Sequence, residues 1–254
     1  LVNLKDDGIQ KVKVVPHTFD ISDYKKIDKV GSDGIPNHTF KFYYIGDMND
    51  RKNLNSVIKC FHTAFSKSDQ VDLILKISSH LPQDQAVASI SQTIENIKKE
   101  MRLYANLHDY KNEHVITRRL NDYEMKSLHS MCDCYLCPSH GEGWSIPAFE
   151  AMAYGNTPIC SKDGGPESFI DPSNKSTGTL INGVKKICNH QNSAFKFLGT
   201  AREFWFEPDD EEIISAMKYY VKNKNSIDRT QGYENASNYS YKNVSKTMLE
   251  FINE

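Results

Sequence analysis

The sequence predicts an α/β fold with a Rossmann-like, doubly wound parallel sheet. Apolar runs of strand length alternate with amphipathic segments of helix length along most of the chain, and this alternation is typical of a parallel sheet covered by helices. The run over residues 71–77 is mostly apolar, as expected of a strand that is buried on both faces. The chain has 254 residues, of which 39% are hydrophobic, and is therefore long enough to bury such a core.

The first 37 residues are predicted to form one strand and a linker. Residues 11–15 are interpreted as a strand that ends at Pro16. Residues 21–37 are polar and contain two glycines and a proline, which favour a loop.

Residues 38–225 are predicted to form the sheet and its covering helices. Apolar side chains at helical spacing indicate helices over 53–66 and 83–107. Asn121 followed by Glu124 has the pattern of a capping box, so another helix is predicted to begin there. The predicted strands are 40–45, 71–77, 114–117, 133–137, 157–160 and 179–181.

The C-terminal part of the chain gives a weaker pattern. Residues 185–206 show neither the apolar spacing of a helix nor the alternation of a strand, and they are interpreted as an insertion. An amphipathic helix is predicted over 211–222. A last helix over 244–252, within the segment 226–254, is expected to pack back on the domain.

The most informative segment lies between His140 and Gly155. Glu142 and Glu150 are eight positions apart, across a glycine-containing loop and the start of a predicted helix. Pro147 suits the first position of that helix, and Gly155 suits its C-terminal stop. The N–H groups at a helix start bind phosphate, and carboxylates accept hydrogen bonds from hydroxyls. This combination fits a sugar nucleotide.

The spacing Glu142-x₇-Glu150 resembles the signature of the family-4 retaining glycosyltransferases, which have the GT-B fold. The resemblance also includes Pro138-Ser139 and the run Gly164-Gly165-Pro166-Glu167. It extends from about Val14 to the C-terminus and covers the C-terminal, donor-binding half of such enzymes. The segment 14–20 resembles the element after their interdomain hinge, so residues 1–37 are interpreted as a hinge-proximal strand and linker.

The resemblance implies catalytic roles for three residues. Glu142 is expected to contact the hydroxyls of the donor sugar. Arg51 and Lys52, which follow the strand end at Gly46, are expected to neutralise the diphosphate. Asp47 stands where relatives commonly carry arginine. The alternative for the two cations is a solvated position at a helix start, where the helix dipole disfavours positive charge.

The other predicted site residues bind the nucleotide. Glu150 is expected to bind the ribose hydroxyls. The loop at Gly143 and the backbone amides of Ser145 and Ile146 are expected to hold the distal phosphate, and Ser145 is a candidate helix cap. Arg118 and Leu120 lie where the base is expected, although surface charge is an equal alternative for Arg118.

No metal cofactor is expected, because the sequence contains no Asp-x-Asp pair. Cys132, Cys134 and Cys137 are interpreted as small apolar residues around a buried strand rather than as metal ligands. The net charge of −2 argues against nucleic acid as a partner. The longest apolar runs are too short to span a bilayer, and the expected location is cytoplasmic because no signal peptide is visible.

Three functions are considered for the chain. The leading hypothesis is a retaining, metal-independent hexosyltransferase that moves a sugar from a UDP-, GDP- or ADP-linked donor to an acceptor hydroxyl. The second is a non-catalytic nucleotide-sugar-binding module or subunit, since an acceptor-binding N-terminal domain is not found and would be a partner. The third, a sugar-nucleotide epimerase, is disfavoured by the spacing of the two glutamates.

Overall fold

The computed structural model describes residues 13–18, 20, 38–188 and 203–253. Its centre is a six-stranded sheet with the strand order β3-β2-β1-β4-β5-β6, in which all neighbours pair in parallel. The strands are β1 Phe40–Asp47, β2 Val71–Ser78, β3 His114–Ile116, β4 Cys134–Cys137, β5 Ile159–Ser161 and β6 Thr179–Ile181. The strand order changes direction between β1 and β4, which makes the sheet doubly wound and confirms the predicted fold class.

Helices cover both faces of the sheet. They are α1 Leu54–Ala64, α2 Gln83–Met101, α3 Asp122–Met131, α4 Ile146–Ala153, α5 Asp210–Lys222, α6 Thr230–Ser237 and α7 Tyr241–Ile252. One face packs Phe42 and Leu73 against α1, α2 and α5. The other face packs Tyr43 and Ile74 against α3, α4 and α6. Within the described ranges, no helix combines the length and apolar character that a membrane crossing requires.

Two helix boundaries are explained by the side chain or the backbone of the residue at the boundary. The capping box of α3 is confirmed, because Asn121 Oδ1 accepts from the Glu124 amide and Glu124 Oε2 accepts from the Asn121 amide, both at 2.9 Å. Helix α2 ends at Met101 rather than at residue 107, because Arg102 adopts a left-handed backbone with φ of 53°. A left-handed residue cannot continue the helix.

The predicted insertion at 185–206 overlaps an antiparallel hairpin. Its strands are β7 Gly183–Ile187 and β8 Phe204–Pro208, and residues 189–202 lie outside the described part of the chain. The predicted strand at 11–15 is wrong for its described residues, since 13–18 have no regular secondary structure. The rest of that strand and the predicted loop at 21–37 lie outside the described residues.

The segment 226–254 contains two helices instead of one. Helix α6 lies so close to α4 that a Cβ on Gly232 would collide with the backbone of Met152. Helix α7 buries Val244 and exposes Leu249 and Ile252. The division of the chain at residues 37 and 225 stays a prediction.

Candidate functional site

The loops after β1 and β4 meet at the carboxyl edge of the sheet, where the strand order reverses. The His140 amide donates to the carbonyl oxygen of Arg51 at 2.8 Å, and Asn53 Nδ2 donates to the carbonyl oxygen of Pro138 at 2.9 Å. These bonds fasten a short 3₁₀ turn, Asp50–Lys52, to the segment that leads into α4. Open α/β sheets bind their ligands at this edge and at this point in the strand order.

Two cations converge on the carboxylate of Glu142. Lys52 Nζ lies 2.7 Å from Glu142 Oε1, and Arg51 Nη1 lies 3.2 Å from the same oxygen. Arg51 Nη1 also donates to the carbonyl oxygen of Gly141 at 2.7 Å. The side chains of Glu142 and Lys52 are only 10% and 15% exposed. The structure therefore brings the three predicted catalytic residues into one charged cluster, which here is called the Glu142 cluster.

The loop at Gly164 and Gly165 lies directly against the backbone of Glu142. The Gly165 amide donates to the Glu142 carbonyl oxygen at 3.0 Å, and Glu142 and Gly164 form an isolated parallel bridge. Gly164 has a φ of 128°, and a Cβ on either glycine would collide with the backbone of residues 142–144. Glycine is therefore required at both positions by close approach.

The start of α4 corrects two predictions about that helix. Ile146, not Pro147, is the first helical residue, and Ser145 precedes it with a left-handed backbone (φ 63°, ψ 69°). The Ser145 hydroxyl does not cap the helix; it lies 3.3 Å from Cys137 Sγ. A left-handed non-glycine residue carries strain and often marks a functional position.

The helix start also leaves donors open toward a ligand. In the described part of the chain, the amides of Ser145 and Ile146 donate to no protein acceptor. Gly143 has open space where a Cβ would stand. These features are compatible with the predicted phosphate contacts, which stay a prediction.

A buried hydrogen-bond network ends beside Glu150. Asn156 Nδ2 donates to the Tyr43 hydroxyl oxygen at 3.0 Å, so the Tyr43 O–H donates to His129 Nδ1 at 2.7 Å. The other ring nitrogen of His129, Nε2, lies 3.4 Å from Glu150 Oε2 but makes no aligned hydrogen bond within the described residues. Burial raises the pKa of Tyr43 far above its usual value and keeps the hydroxyl protonated as a donor.

The sequence gives no signal for this hydrogen-bond network. Its members lie on β1, on α3 and just after α4, and no local pattern connects them. The Glu150 side chain itself is 32% exposed. A partly exposed carboxylate is suited to accept hydrogen bonds from a ligand.

The remaining predicted residues are not members of the Glu142 cluster. Arg118 Nη1 pairs with Glu124 Oε1 at 2.6 Å, which ties this exposed arginine to the cap of α3. Leu120 is half-buried and packs on the face of the sheet covered by α3 and α4. Gly46 is the penultimate residue of β1 and pairs with Ile77.

Strand β8 holds the loop that precedes Glu142, a contact without a signal in the sequence. His140 Nδ1 donates to the carbonyl oxygen of Phe206 at 3.1 Å, and the Phe206 amide donates to the His140 carbonyl oxygen at 3.0 Å. The His140 ring stacks on Trp205 with centroids 4.9 Å apart and an interplanar angle of 7°. In the described residues, no group of three or more His, Cys, Asp or Glu side chains is arranged to hold a metal ion.

Solved structures share this fold at low sequence identity. Sucrose-phosphate synthase from Thermosynechococcus elongatus superposes with a TM-score of 0.70 at 16% identity, over 99% of this chain and 55% of that chain. HepE from Anabaena, in complex with UDP and glucose, superposes with a TM-score of 0.62 at 14% identity, over 95% of this chain and 56% of that chain. The C-terminal domain of LpcC, a glycosyl transferase group 1 family protein from Francisella tularensis, superposes with a TM-score of 0.56 at 19% identity. The superposition covers 80% of this chain and 87% of that domain.

These likenesses confirm the predicted C-terminal half of a GT-B fold. The chain spans about half the length of sucrose-phosphate synthase and of HepE. Comparison with curated proteins gives no match. The model of the family described as glycosyl transferases group 1 matches residues 26–187, which is more than half of the 254 residues. The chain belongs to the glycosyl transferases group 1 family.

Proposed function

We propose that this chain is the donor-binding half of a retaining, metal-independent glycosyltransferase of the hexosyltransferase type. Its substrates are a nucleoside diphosphate sugar and an acceptor hydroxyl. The observation that carries the proposal is the Glu142 cluster, in which two cations and a carboxylate meet at the carboxyl edge beside the start of α4. The structures of HepE with UDP and with UDP-glucose support a nucleotide sugar as the ligand class.

The cations and the helix start are suited to stabilise a leaving diphosphate. The bond between the anomeric carbon and the phosphate oxygen breaks, and its electron pair goes to the diphosphate. The charge that develops there meets fixed hydrogen-bond donors. These are the side chains of Lys52 and Arg51 and the backbone amides of Ser145 and Ile146. Donors that are already in place stabilise a transition state without reorganisation. Because these donors neutralise the diphosphate, the proposal includes no metal.

The acceptor hydroxyl bonds to the anomeric carbon on the face that the diphosphate leaves. The acceptor proton passes to the leaving phosphate oxygen, so no protein nucleophile is required. Glu142 uses Oε1 for the two cations, and among the described residues no donor contacts its Oε2. This oxygen is suited to accept from a donor-sugar hydroxyl, and Glu150 is suited to accept from the ribose.

The second candidate is a nucleotide-sugar-binding module that needs a separate acceptor-binding chain. The Glu142 cluster and the start of α4 would bind a nucleotide sugar in both candidates. Isothermal titration with UDP, GDP and ADP, followed by hydrolysis and transfer assays, separates the two. Binding with turnover supports the transferase, binding without turnover supports the module, and binding of none of the three contradicts both.

Glu150→Ala is expected to weaken binding of the nucleoside diphosphate about 10- to 100-fold, because hydrogen bonds to a charged group contribute about 1.5–3 kcal/mol. Glu142→Ala is expected to leave the affinity for the nucleoside diphosphate within about threefold and to abolish the preference for one donor sugar. Both are measured by isothermal titration with nucleoside diphosphates and their sugars.

Glu95→Ala is the matched control, since Glu95 is half exposed on α2 and pairs with Lys99. Parent-like binding by both the Glu150 and the Glu142 variants would show that the two glutamates are not in the site.

A further inference from the structure

A lysine interrupts an apolar row that crosses the whole sheet near its carboxyl edge. Lys76 on β2 pairs with Ile45 on β1 and with Ile116 on β3, and the same level continues through the paired residues Cys137, Cys160 and Leu180. Lys76 is two residues after Ile74, so its side chain is on the face covered by α3 and α4. That face also carries Glu150 and the hydrogen-bonded residues Tyr43, His129 and Asn156.

The Lys76 side chain is buried and points to the carboxyl edge. The residue is 4% exposed. Its ammonium lies 3.4 Å from the hydroxyl of Ser78, an exposed residue two positions nearer the edge. No carboxylate oxygen of the described residues lies within 4.0 Å of the Lys76 ammonium.

The two other buried lysines of the described residues have a nearer acceptor. Lys98 donates to Glu113 Oε2 at 2.8 Å, and Lys41 donates to the carbonyl oxygen of Thr39 at 3.1 Å. Burial lowers the pKa of Lys76, and the charge of Asp47 opposes this only in part. A buried charge without a counter-ion is costly, and an anionic ligand removes that cost.

We propose that Lys76 is a further residue of the donor site and that its ammonium binds a phosphate group of the nucleotide. The assignment rests on the proposed function. Strand β2 lies between β1 and β3, whose following loops are both assigned to the donor. Lys76 therefore reaches the donor from the sheet itself, between the loop that carries Lys52 and the loop expected to bind the base. The phosphate that it contacts is the one nearer the ribose.

The test compares Lys76→Met with the parent by isothermal titration. Methionine keeps the apolar stem and removes the charge. We expect the dissociation constant for the nucleoside diphosphate that the parent binds to rise about tenfold or more, since contacts between an ammonium and a phosphate are charge-assisted. Binding of the corresponding free nucleoside is expected to stay unchanged, and Lys76→Arg is expected to retain part of the affinity.

Lys41→Met is the matched control, because it removes another buried lysine of the sheet from the opposite end of β1. Its affinity for the nucleotide is expected to equal that of the parent. Nucleoside diphosphate binding by Lys76→Met at the parent's affinity, or an equal loss for the free nucleoside, would overturn the assignment and leave the proposed function standing. A parent that binds no nucleoside diphosphate would instead overturn the proposed function itself.

Discussion

Lys52→Met is expected to lower the rate of sugar transfer about 10²- to 10³-fold, because removing one preorganised donor to a developing charge costs about 3–4 kcal/mol. Lys52 Nζ is the nearer of the two cations to Glu142 Oε1, at 2.7 Å against 3.2 Å for Arg51. Loss of the ammonium leaves both the diphosphate and the Glu142 carboxylate with one cation. The measurement is turnover of the nucleotide sugar, by transfer or by hydrolysis.

Lys99→Met is the control for this experiment. Lys99 is exposed on α2 and pairs with Glu95 at 3.4 Å, an arrangement that contributes little. Its turnover is expected to match that of the parent. Turnover by Lys52→Met within threefold of the parent would exclude Lys52 from stabilising the leaving group.

Glu113→Gln is expected to lower the free energy of unfolding by about 3–5 kcal/mol, because it breaks a buried ion cluster and leaves charges without a partner. Glu113 pairs with His62 Nε2 through Oε1 and with Lys98 Nζ through Oε2, the latter at 2.8 Å. All three side chains are less than a tenth exposed. Urea unfolding of the parent and the variant measures the difference.

The buried ion pairs of Glu113 also predict how the difference in unfolding free energy depends on pH. Burial raises the pKa of Glu113, but the hydrogen bonds and charges of His62 and Lys98 outweigh burial and hold the pKa below its usual value. The pKa in the folded state is thus lower than in the unfolded state, where it is about 4.3. The stabilisation is complete above the unfolded-state pKa and is lost as the pH falls through the folded-state pKa.

The stability gap between parent and Glu113→Gln is therefore expected to be largest above about pH 4.5 and to close on acidification. Glu95→Gln, which changes an exposed pair, is expected to unfold like the parent at every pH. A gap for Glu113→Gln that is small at neutral pH, or that grows in acid, would contradict this role of the cluster.

The central sheet could be predicted because its strands are recognisable one at a time. Strand β2 is mostly apolar and is buried along nearly all of its length, and the capping box at Asn121 is a local pattern. The β7–β8 hairpin could not be predicted in this way. Most of its residues are half-buried or exposed, so they lack a clear alternation, and pairing between β7 and β8 is a contact between distant parts of the sequence.

Helix α6 was missed for a related reason. It is polar and contains Gly232, which lowers helix propensity. Its stability comes from the close contact of Gly232 with the backbone of Met152, and this contact exists only in the folded chain. The early end of α2 likewise depends on the backbone of a single residue, Arg102.

In the candidate site, residue types were predictable and their partners were not. The carboxylates and cations followed from motif spacing and from the resemblance, which assigned Glu142 and Lys52 to different parts of a ligand. Their mutual contact depends on the register between β1 and β4, which brings the two loops together. The approach of His129 to Glu150 depends on how α3 and α4 pack on the same face of the sheet, for which a single sequence carries no signal.

The stack of His140 on Trp205 gives the protein an intrinsic optical reporter. The chain contains two tryptophans. Trp205 lies against the residue two positions before Glu142, and Trp144 lies two positions after it, where its indole packs on Phe149 and Phe169. All indole fluorescence therefore originates beside the Glu142 cluster, and a nucleotide titration can be followed by emission without attaching a dye.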